Sequence, residues 1–442
     1  MPTVPTGSRL ILAILSLSGC AGLVLPAIAD ARERSRTPEE VLSEAAAYTV
    51  KVNVQITAGL NADNRGEFTG TGFLIDKQRG WFLTNAHVAS RSPGRITLAF
   101  KDGQPIAAKR VHVDTFMDMA VLVIPPSQIP ASAPVAQLEC SGPPNEGASV
   151  FAYGHPWGLD FTASRGIVSG ISWFPPQRLI QTDASINHGN SGGPLIRVSD
   201  GKVVGVSSHS YKDSEDKNAT AVGLAQPMPP ICHILALLRQ GKDASTRMLP
   251  IDVATSRNGM DPTVASTSVQ AAGFMPGDRI IGVNGSAPIR TYSQLVDQLR
   301  GALEPVTVKV SRGGVELELR SPVRIVPNPL SQRALNISGV IISEPWRVDN
   351  AEVDPAGHFV VVDIDTESDL GASDVRAANR LKYVNGRSFN KIEDLQSYLA
   401  SLEEGAEIEA IFWQPPEYKE FSGGHIVAKM HKSKLEWVSP GE

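Results

Sequence analysis

The segment QTDASINHGNSGGPLI, residues 181–196, sets a serine between glycines and follows it at once with an apolar run. Glycines on both sides of a hydroxyl let the backbone bend tightly enough to present one side chain. Ser191 is therefore either a nucleophile or a turn residue. A turn serine needs no partners, whereas a nucleophile needs a base, an acid that orients the base, and an oxyanion site. The segment also satisfies G-x-S-x-G, the signature of a nucleophile elbow. In that elbow a strand runs into a helix and the histidine follows the serine. Here Gly192-Gly193-Pro194 leads into a β-type run, and the better histidine precedes Ser191.

Two upstream segments supply partners. FLTNAHVAS (82–90) puts His87 at the end of an apolar strand, and FMDMAVLVI (116–124) puts Asp118 at the start of another. A carboxylate beside such a run is partly buried and needs a partner, which an imidazole N–H provides. Asp114 is the rival acid, but the apolar flank of Asp118 is longer. In this reading Ser191 attacks a carbonyl, His87 removes and later returns the proton, and Asp118 fixes the imidazole tautomer and stabilises the imidazolium. The backbone N–H groups of Gly189 and Ser191 would face the developing oxyanion.

The chain has 442 residues, enough for about two to four domains. A net charge of −5 with no basic block argues against nucleic acid as a partner. Nine histidines and three cysteines form no metal-ligand spacing, so neither a metal nor a cofactor is implied. Asp363, Asp365, Glu367 and Asp369 alternate as calcium ligands do, yet lack the glycine and closing glutamate of a calcium loop. Arg9 precedes an apolar stretch that ends in Ala27-Ile28-Ala29, which reads as a signal peptide cleaved after residue 29. A second reading competes: LSGC (17–20) resembles a lipobox, which would lipidate Cys20 and tie the chain to a membrane. Pairing of Cys140 with Cys232 is left open.

From Tyr48 to about Gln226 short β-rich runs recur between Gly, Pro, Asn and Asp, which points to a mainly β domain of barrel type. TPEEVLSEAAA opens the chain's first helix, with a capping box, and ICHILALLRQG reads as a closing helix that stops at Gly241. One pattern then occurs twice. GDRIIGVNGSAPIRTYSQLVDQL (277–299) and ANRLKYVNGRSFNKIEDLQSYL (378–399) each read as a strand, a Val-Asn-Gly turn and an amphipathic helix.

On GTGFLID, FLTNAHV, DMAVLVI, GHPWGLDFTASRGIVSGIS, QTDASINHGNSGGPLI and VGLAQPMP, which lie in order across residues 70–229, the chain resembles the HtrA/Deg family of DegP-like serine endopeptidases. The resemblance implies a chymotrypsin-like double β-barrel followed by two PDZ-like α+β domains. Its implied division is a signal peptide at 1–29, an N-terminal helical segment at 30–47, a trypsin-like protease at 48–241, and PDZ-like domains at 245–325 and 333–437. It implies an ATP-independent extracytoplasmic, periplasmic protease acting on unfolded or damaged proteins, with peptide segments bound at the PDZ domains and assembly as a homotrimer. The alternative of another class is a non-catalytic chaperone or scaffold on a protease fold. Residues 58–68 form a short loop where some relatives carry a long one that holds the site inactive in an oligomer. Pro250 stands where relatives commonly have glycine in the carboxylate-binding loop of the first PDZ-like domain, and proline has no N–H to offer a peptide terminus. By the same resemblance Ser185 forms the base of the specificity pocket, and Ser207, Ser208 and His209 form its wall, pairing with substrate as an added strand. A small neutral base predicts cleavage after Val, Ala or Ile rather than Lys or Arg.

Overall fold

The computed structural model describes residues 36–439, except 61–62, 64, 212–221, 257, 268–272, 345–358 and 416–423. The signal-peptide and lipobox readings fall outside the described residues.

Helix α1 (Pro38–Tyr48) starts at the Thr37–Glu40 capping box and buries Val41, Ala45 and Tyr48, spaced by four and three residues, on the first barrel. That barrel closes in the order β1-β2-β3-β6-β5-β4. Its strands are β1 (Thr49–Ile56), β2 (Gly66–Asp76), β3 (Trp81–Thr84), β4 (Gly94–Phe100), β5 (Ile106–Asp114) and β6 (Met119–Val123). In β1, Val50, Val52, Val54 and Ile56 face inward while Lys51, Asn53 and Gln55 face out, the period of two that a half-buried strand requires. The second barrel closes as β10-β11-β12-β9-β8-β7. It consists of β7 (Ser149–Gly154), β8 (Thr162–Phe174), β9 (Gln177–Thr182), β10 (Pro194–Arg197), β11 (Val203–Tyr211) and β12 (Val222–Pro227), around Val150, Val168, Ile180, Leu195 and Val204. The double barrel is the architecture expected.

A one-turn helix, α2 (Ala86–Ala89), follows β3 in the first barrel. Helix α3 (Met228–Arg239) closes the barrels, beginning three residues before the expected segment, because Pro229 and Pro230 are accommodated in its first turn. Cys140 and Cys232 are bonded, tying α3 to the segment that links the barrels. The sequence had left this pairing open.

Two sheets follow. The first has the order β14 (Ile251–Ala254), β15 (Thr263–Thr267), β16 (Arg279–Val283), β17 (Val306–Arg312) and β18 (Val315–Ser321). A ribbon of β13 (Arg247–Met248) with β19 (Arg324–Ile325) flanks it, and α4 (Tyr292–Leu299) covers it. The second comprises β20 (Ala334–Ile337), β21 (Val340–Ser343), β22 (Phe359–Ile364), β23 (Arg380–Val384), β24 (Glu407–Gln414), β25 (Gly424–His431) and β26 (Leu435–Val438). These lie in the order β25-β24-β23-β22-β21-β20-β26, with α5 (Ile392–Ala400) packed on them. Both Val-Asn-Gly motifs form turns with positive φ at asparagine and glycine. In both, the asparagine Oδ1 accepts a backbone N–H at 2.8 Å, from Thr307 in one and Glu409 in the other. The sheets differ at one edge. β14 ends its sheet, whereas β21 is paired on both sides, because Ser338 and Gly339 fold β20 back onto it.

Two polar contacts between these sheets and the barrels bear on the residues singled out above. Asp114, the rival acid, is buried and pairs at 2.5 Å with the equally buried Arg300, the residue that ends α4; the same guanidinium nitrogen reaches the carbonyl of Ala244 at 2.8 Å. Asp114 is thereby committed away from His87. Asp363, considered as a calcium ligand, instead accepts the N–H of Gly59 at 2.7 Å and Nε of Arg65 at 2.6 Å, and Asp365 pairs with Arg65 at 3.5 Å. Breaking a buried pair on one side strands an uncompensated charge. Arg300→Met should lower the apparent stability of the full chain in urea by about 3–5 kcal/mol, and adding Asp114→Asn should recover part of it. An unchanged denaturation curve for Arg300→Met would contradict the pairing.

Candidate active site

His87 and Asp118 belong to the first barrel and Ser191 to the second, and the hydroxyl of Ser208 on β11 crosses from the second barrel to Asp118. Asn85 stands just before α2, and its side-chain amide donates to the carbonyl of Asp118 at 2.8 Å, tying the turn that carries His87 to the turn that carries the acid. Asp118 sits between β5 and β6 with φ at 45°, in the left-handed region that Asp tolerates better than most residues. Its carboxylate accepts the ring Nδ1–H of His87 at 2.9 and 3.0 Å, the backbone N–H of His87 at 3.1 Å, and the hydroxyl of Ser208 at 2.7 Å.

Charge follows geometry. Burial pushes the Asp118 carboxyl up, but the bond and charge of His87 and the Ser208 hydroxyl outweigh it, so its pKa lies below the usual value. Burial pulls His87 down, yet the bond and charge of Asp118, with a smaller share from Asp63, lift it above 6.5. With Nδ1–H committed to Asp118, neutral His87 presents a lone pair at Nε2. The Ser191 hydroxyl does not yet use it: it donates to the carbonyl of Ser208 at 2.5 Å.

The loop before β10 needs glycine at two places. Gly189 has φ of +99°, and a Cβ there would stand 2.0 Å from the carbonyl oxygen of His155. Gly192 has φ of +84°, with Thr71 O and Thr84 Oγ1 each 2.1 Å from where a Cβ would lie. The loop is bonded on both sides. Thr71 on β2 gives its hydroxyl proton to the carbonyl of Gly189 at 2.6 Å and its N–H to the carbonyl of Ser191 at 2.9 Å. The N–H of Trp157 takes the carbonyl of His188 at 2.8 Å, and a trans peptide then turns the Gly189 N–H to the opposite side. Asn190, Gly192 and Gly193 spend their N–H groups on loop or strand carbonyls. Among the described residues, the N–H groups of Gly189 and Ser191 have no acceptor. The arrangement offers a serine hydroxyl, an imidazole of fixed tautomer and two open N–H donors.

The remaining predicted residues separate. Ser185 is exposed, and its carbonyl accepts from Ser164 and from Asn190. Ser207 is buried, and its backbone is spent on Gly192 and Gly193 rather than open to a substrate strand. Ser208, expected on the pocket wall, turns its hydroxyl to Asp118. His209 stands exposed beside it, Nδ1 2.9 Å from the Ser208 hydroxyl. Sequence reasoning missed Thr71 and His155. His155 is fully buried, accepts nothing at Nε2, and lies 3.1 Å from Thr71 Oγ1 through Nδ1. Burial, then the charge of Lys51, lower its pKa to about 4, against a small opposing effect of Asp160. Both residues lie in segments quoted above, GTGFLID and GHPWGLD, but nothing in either marks a hydroxyl facing Gly189.

Residues 70–206 match the trypsin-like peptidase domain family. The serine endoprotease DegS of Escherichia coli (strain K12) is 32% identical over 247 residues, which cover 53% of this chain and 67% of that protein. DegS of Salmonella typhimurium is 31% identical over 264 residues, 54% of this chain and 72% of that one. A probable periplasmic serine endoprotease, DegP-like, of Hahella chejuensis is 31% identical over 280 residues, 59% of this chain and 57% of that one. Among solved structures, an HtrA-type protease AlgW with decapeptide superposes with a TM-score of 0.52 at 21% identity, covering 66% of this chain and 99% of that one, which supports the fold alone.

Histidine NMR titration of the full chain should place His87 above 6.5 and His155 at about 4. Asp118→Asn removes the charge that offsets burial, so His87 should then fall. A His87 value unmoved by that substitution would contradict the coupling.

Proposed function

The chain belongs to the HtrA/Deg family of serine endoproteases, and from that premise we propose that it hydrolyses peptide bonds of unfolded or damaged proteins, without ATP, through Ser191, His87 and Asp118. The observation that carries this reading is the clamp on His87: Asp118 holds Nδ1–H, so Nε2 is the ring's available base. The Ser191 hydroxyl rotates off the Ser208 carbonyl, and Oγ attacks the scissile carbonyl carbon as Nε2 takes its proton. The oxyanion is received by the N–H groups of Gly189 and Ser191, worth roughly 3 kcal/mol for one such donor. Collapse expels the amine, which takes the proton back from the imidazolium. Water then repeats the sequence on the acyl-enzyme, with His87 again base and then acid. Ser185 and the outer part of β11 form the pocket and the edge that the substrate strand meets.

We assign residues 48–241 to the protease and 245–325 and 333–437 to the PDZ-like domains. The first of these suits peptide binding, since β14 ends its sheet and can accept an added strand. In the second, β20 already lies where such a strand would pair with β21, which suits a domain that packs within its own chain. The Cys140–Cys232 bond fits an oxidising compartment. Together with the export-type N-terminus and relatives named as periplasmic, it supports location in the periplasm.

Ser191→Ala and His87→Ala should each cut casein hydrolysis by about 10⁴–10⁶-fold, and the double variant should lose no more than either alone. Casein cleavage at a near wild-type rate in purified Ser191→Ala protein would refute the assignment.

A further inference from the structure

β11 carries a bulge as it passes the site. Ser207 pairs with Ala225 and His209 with Leu224, which leaves Ser208 as the extra residue. Regular alternation sends consecutive side chains to opposite faces, and a bulge re-aims one of them. The side chains of Ser208 and His209 therefore meet, with His209 Nδ1 2.9 Å from Ser208 Oγ.

The proton count decides what this contact is. A serine hydroxyl has one proton and two lone pairs, and an ionised carboxylate can only accept. The Ser208 proton goes to Asp118, at 2.7 Å. Toward His209 the same hydroxyl can then only accept, so Nδ1 of His209 carries hydrogen. His209 is exposed, and in the neutral ring this leaves the lone pair on Nε2. Burial holds His209 below the usual histidine value against the raising charge of Asp118, with a smaller lowering by His87, while His87 is shifted the other way. When His87 has lost its proton and can act as base, His209 is already neutral. Asp118 and His87 are the charged groups that act on it among the described residues. Its own strand contributes Ser208, Ser210 and Tyr211, and β12 contributes Leu224.

We propose that His209 is a positioning residue that keeps the Ser208 proton on Asp118 through its own Nδ1–H, and that its Nε2 lone pair reads the substrate chain on the acyl side of the scissile bond. This rests on the assignment of Ser191, His87 and Asp118 as the reacting trio. The chain of donors runs from His209 to Ser208 to Asp118, and Asp118 in turn orients His87. Each bond polarises the next, so loss of the first loosens the last. A substrate side chain that donates a hydrogen bond, such as an amide or hydroxyl, suits the Nε2 lone pair. A carboxylate meets its negative end.

The test uses the full chain and quenched peptides that differ only in carrying Asn, Leu or Asp at the position preceding the residue whose carbonyl is attacked. Wild-type protein should favour Asn over Asp. His209→Leu should lower kcat/KM about five- to tenfold, erase that preference, and raise the midpoint of the acid limb, because a less well-bonded Asp118 is more basic and lifts His87. His209→Asn keeps an N–H near the place of Nδ1 without a titrating ring and should recover most of the loss in kcat/KM. On a Ser208→Ala background, His209→Leu should leave the acid limb where it is. Thermal unfolding midpoints check that each variant is folded. A His209→Leu enzyme with wild-type kcat/KM, acid limb and peptide ranking would overturn the proposal, and so would Leu and Asn variants that fall together, since His209 would then only fill space. Ser191→Ala is run in parallel: retained turnover there would remove the catalytic assignment itself and this inference with it.

Discussion

The Asp118 carboxylate is the interaction on which the site depends. It is a charge partly withdrawn from water, and four donor contacts converge on it from three directions: the ring and backbone of His87, and the hydroxyl of Ser208. Each of those donors belongs to a different requirement of the reaction. The ring contact fixes a tautomer, the backbone contact fixes the turn that carries the ring, and the Ser208 contact joins the second barrel to the first. The carbonyl of that same Ser208 accepts the hydroxyl of Ser191. A single bulged residue thus touches both ends of the trio.

The grip on the site extends beyond the barrels. The turn holding Asp118 is bracketed by Asp114, locked in a buried pair with Arg300 at the end of α4, and by Phe116, whose ring lies 6.2 Å from that of Tyr292 at the start of the same helix. On the other side, Asp63 accepts from Ser90, Arg91 and Ser92, just beyond His87. The loop that carries Asp63 is held in turn by Asp363, through Gly59 and Arg65. The sequence stretch that is too short for the long inhibitory loop of some relatives is therefore a bridge to the last sheet of the chain.

How much of this is legible in one dimension depends on where a constraint is written. Gly189 and Gly192 are visible because a positive φ demands glycine, and the two Val-Asn-Gly turns because their geometry selects the same three residues twice. His87 and Asp118 stand out because polar residues at the ends of apolar runs have to be explained. Asp118 could be preferred over Asp114 from its flank alone, but the partner that takes Asp114 out of contention lies beyond the barrels altogether. Arg65 and Asp363, 298 residues apart, look like a loop charge and a calcium ligand until register brings them together. Ser208 reads as pocket wall by resemblance alone, and a bulge that no local pattern announces turns its hydroxyl to Asp118. Cys140 and Cys232 carry no local sign of their pairing for the same reason: it is made by packing, not by neighbours in sequence.

The central claim is that Ser191 is the hydroxyl made nucleophilic by this arrangement. The most direct measurement is to react the full-length protein with a fluorophosphonate probe and locate the adduct by tandem mass spectrometry. The account predicts one adduct, on Ser191, formed at a rate that collapses in Asp118→Asn protein. An adduct on another residue, or labelling of Asp118→Asn at the wild-type rate, would contradict it.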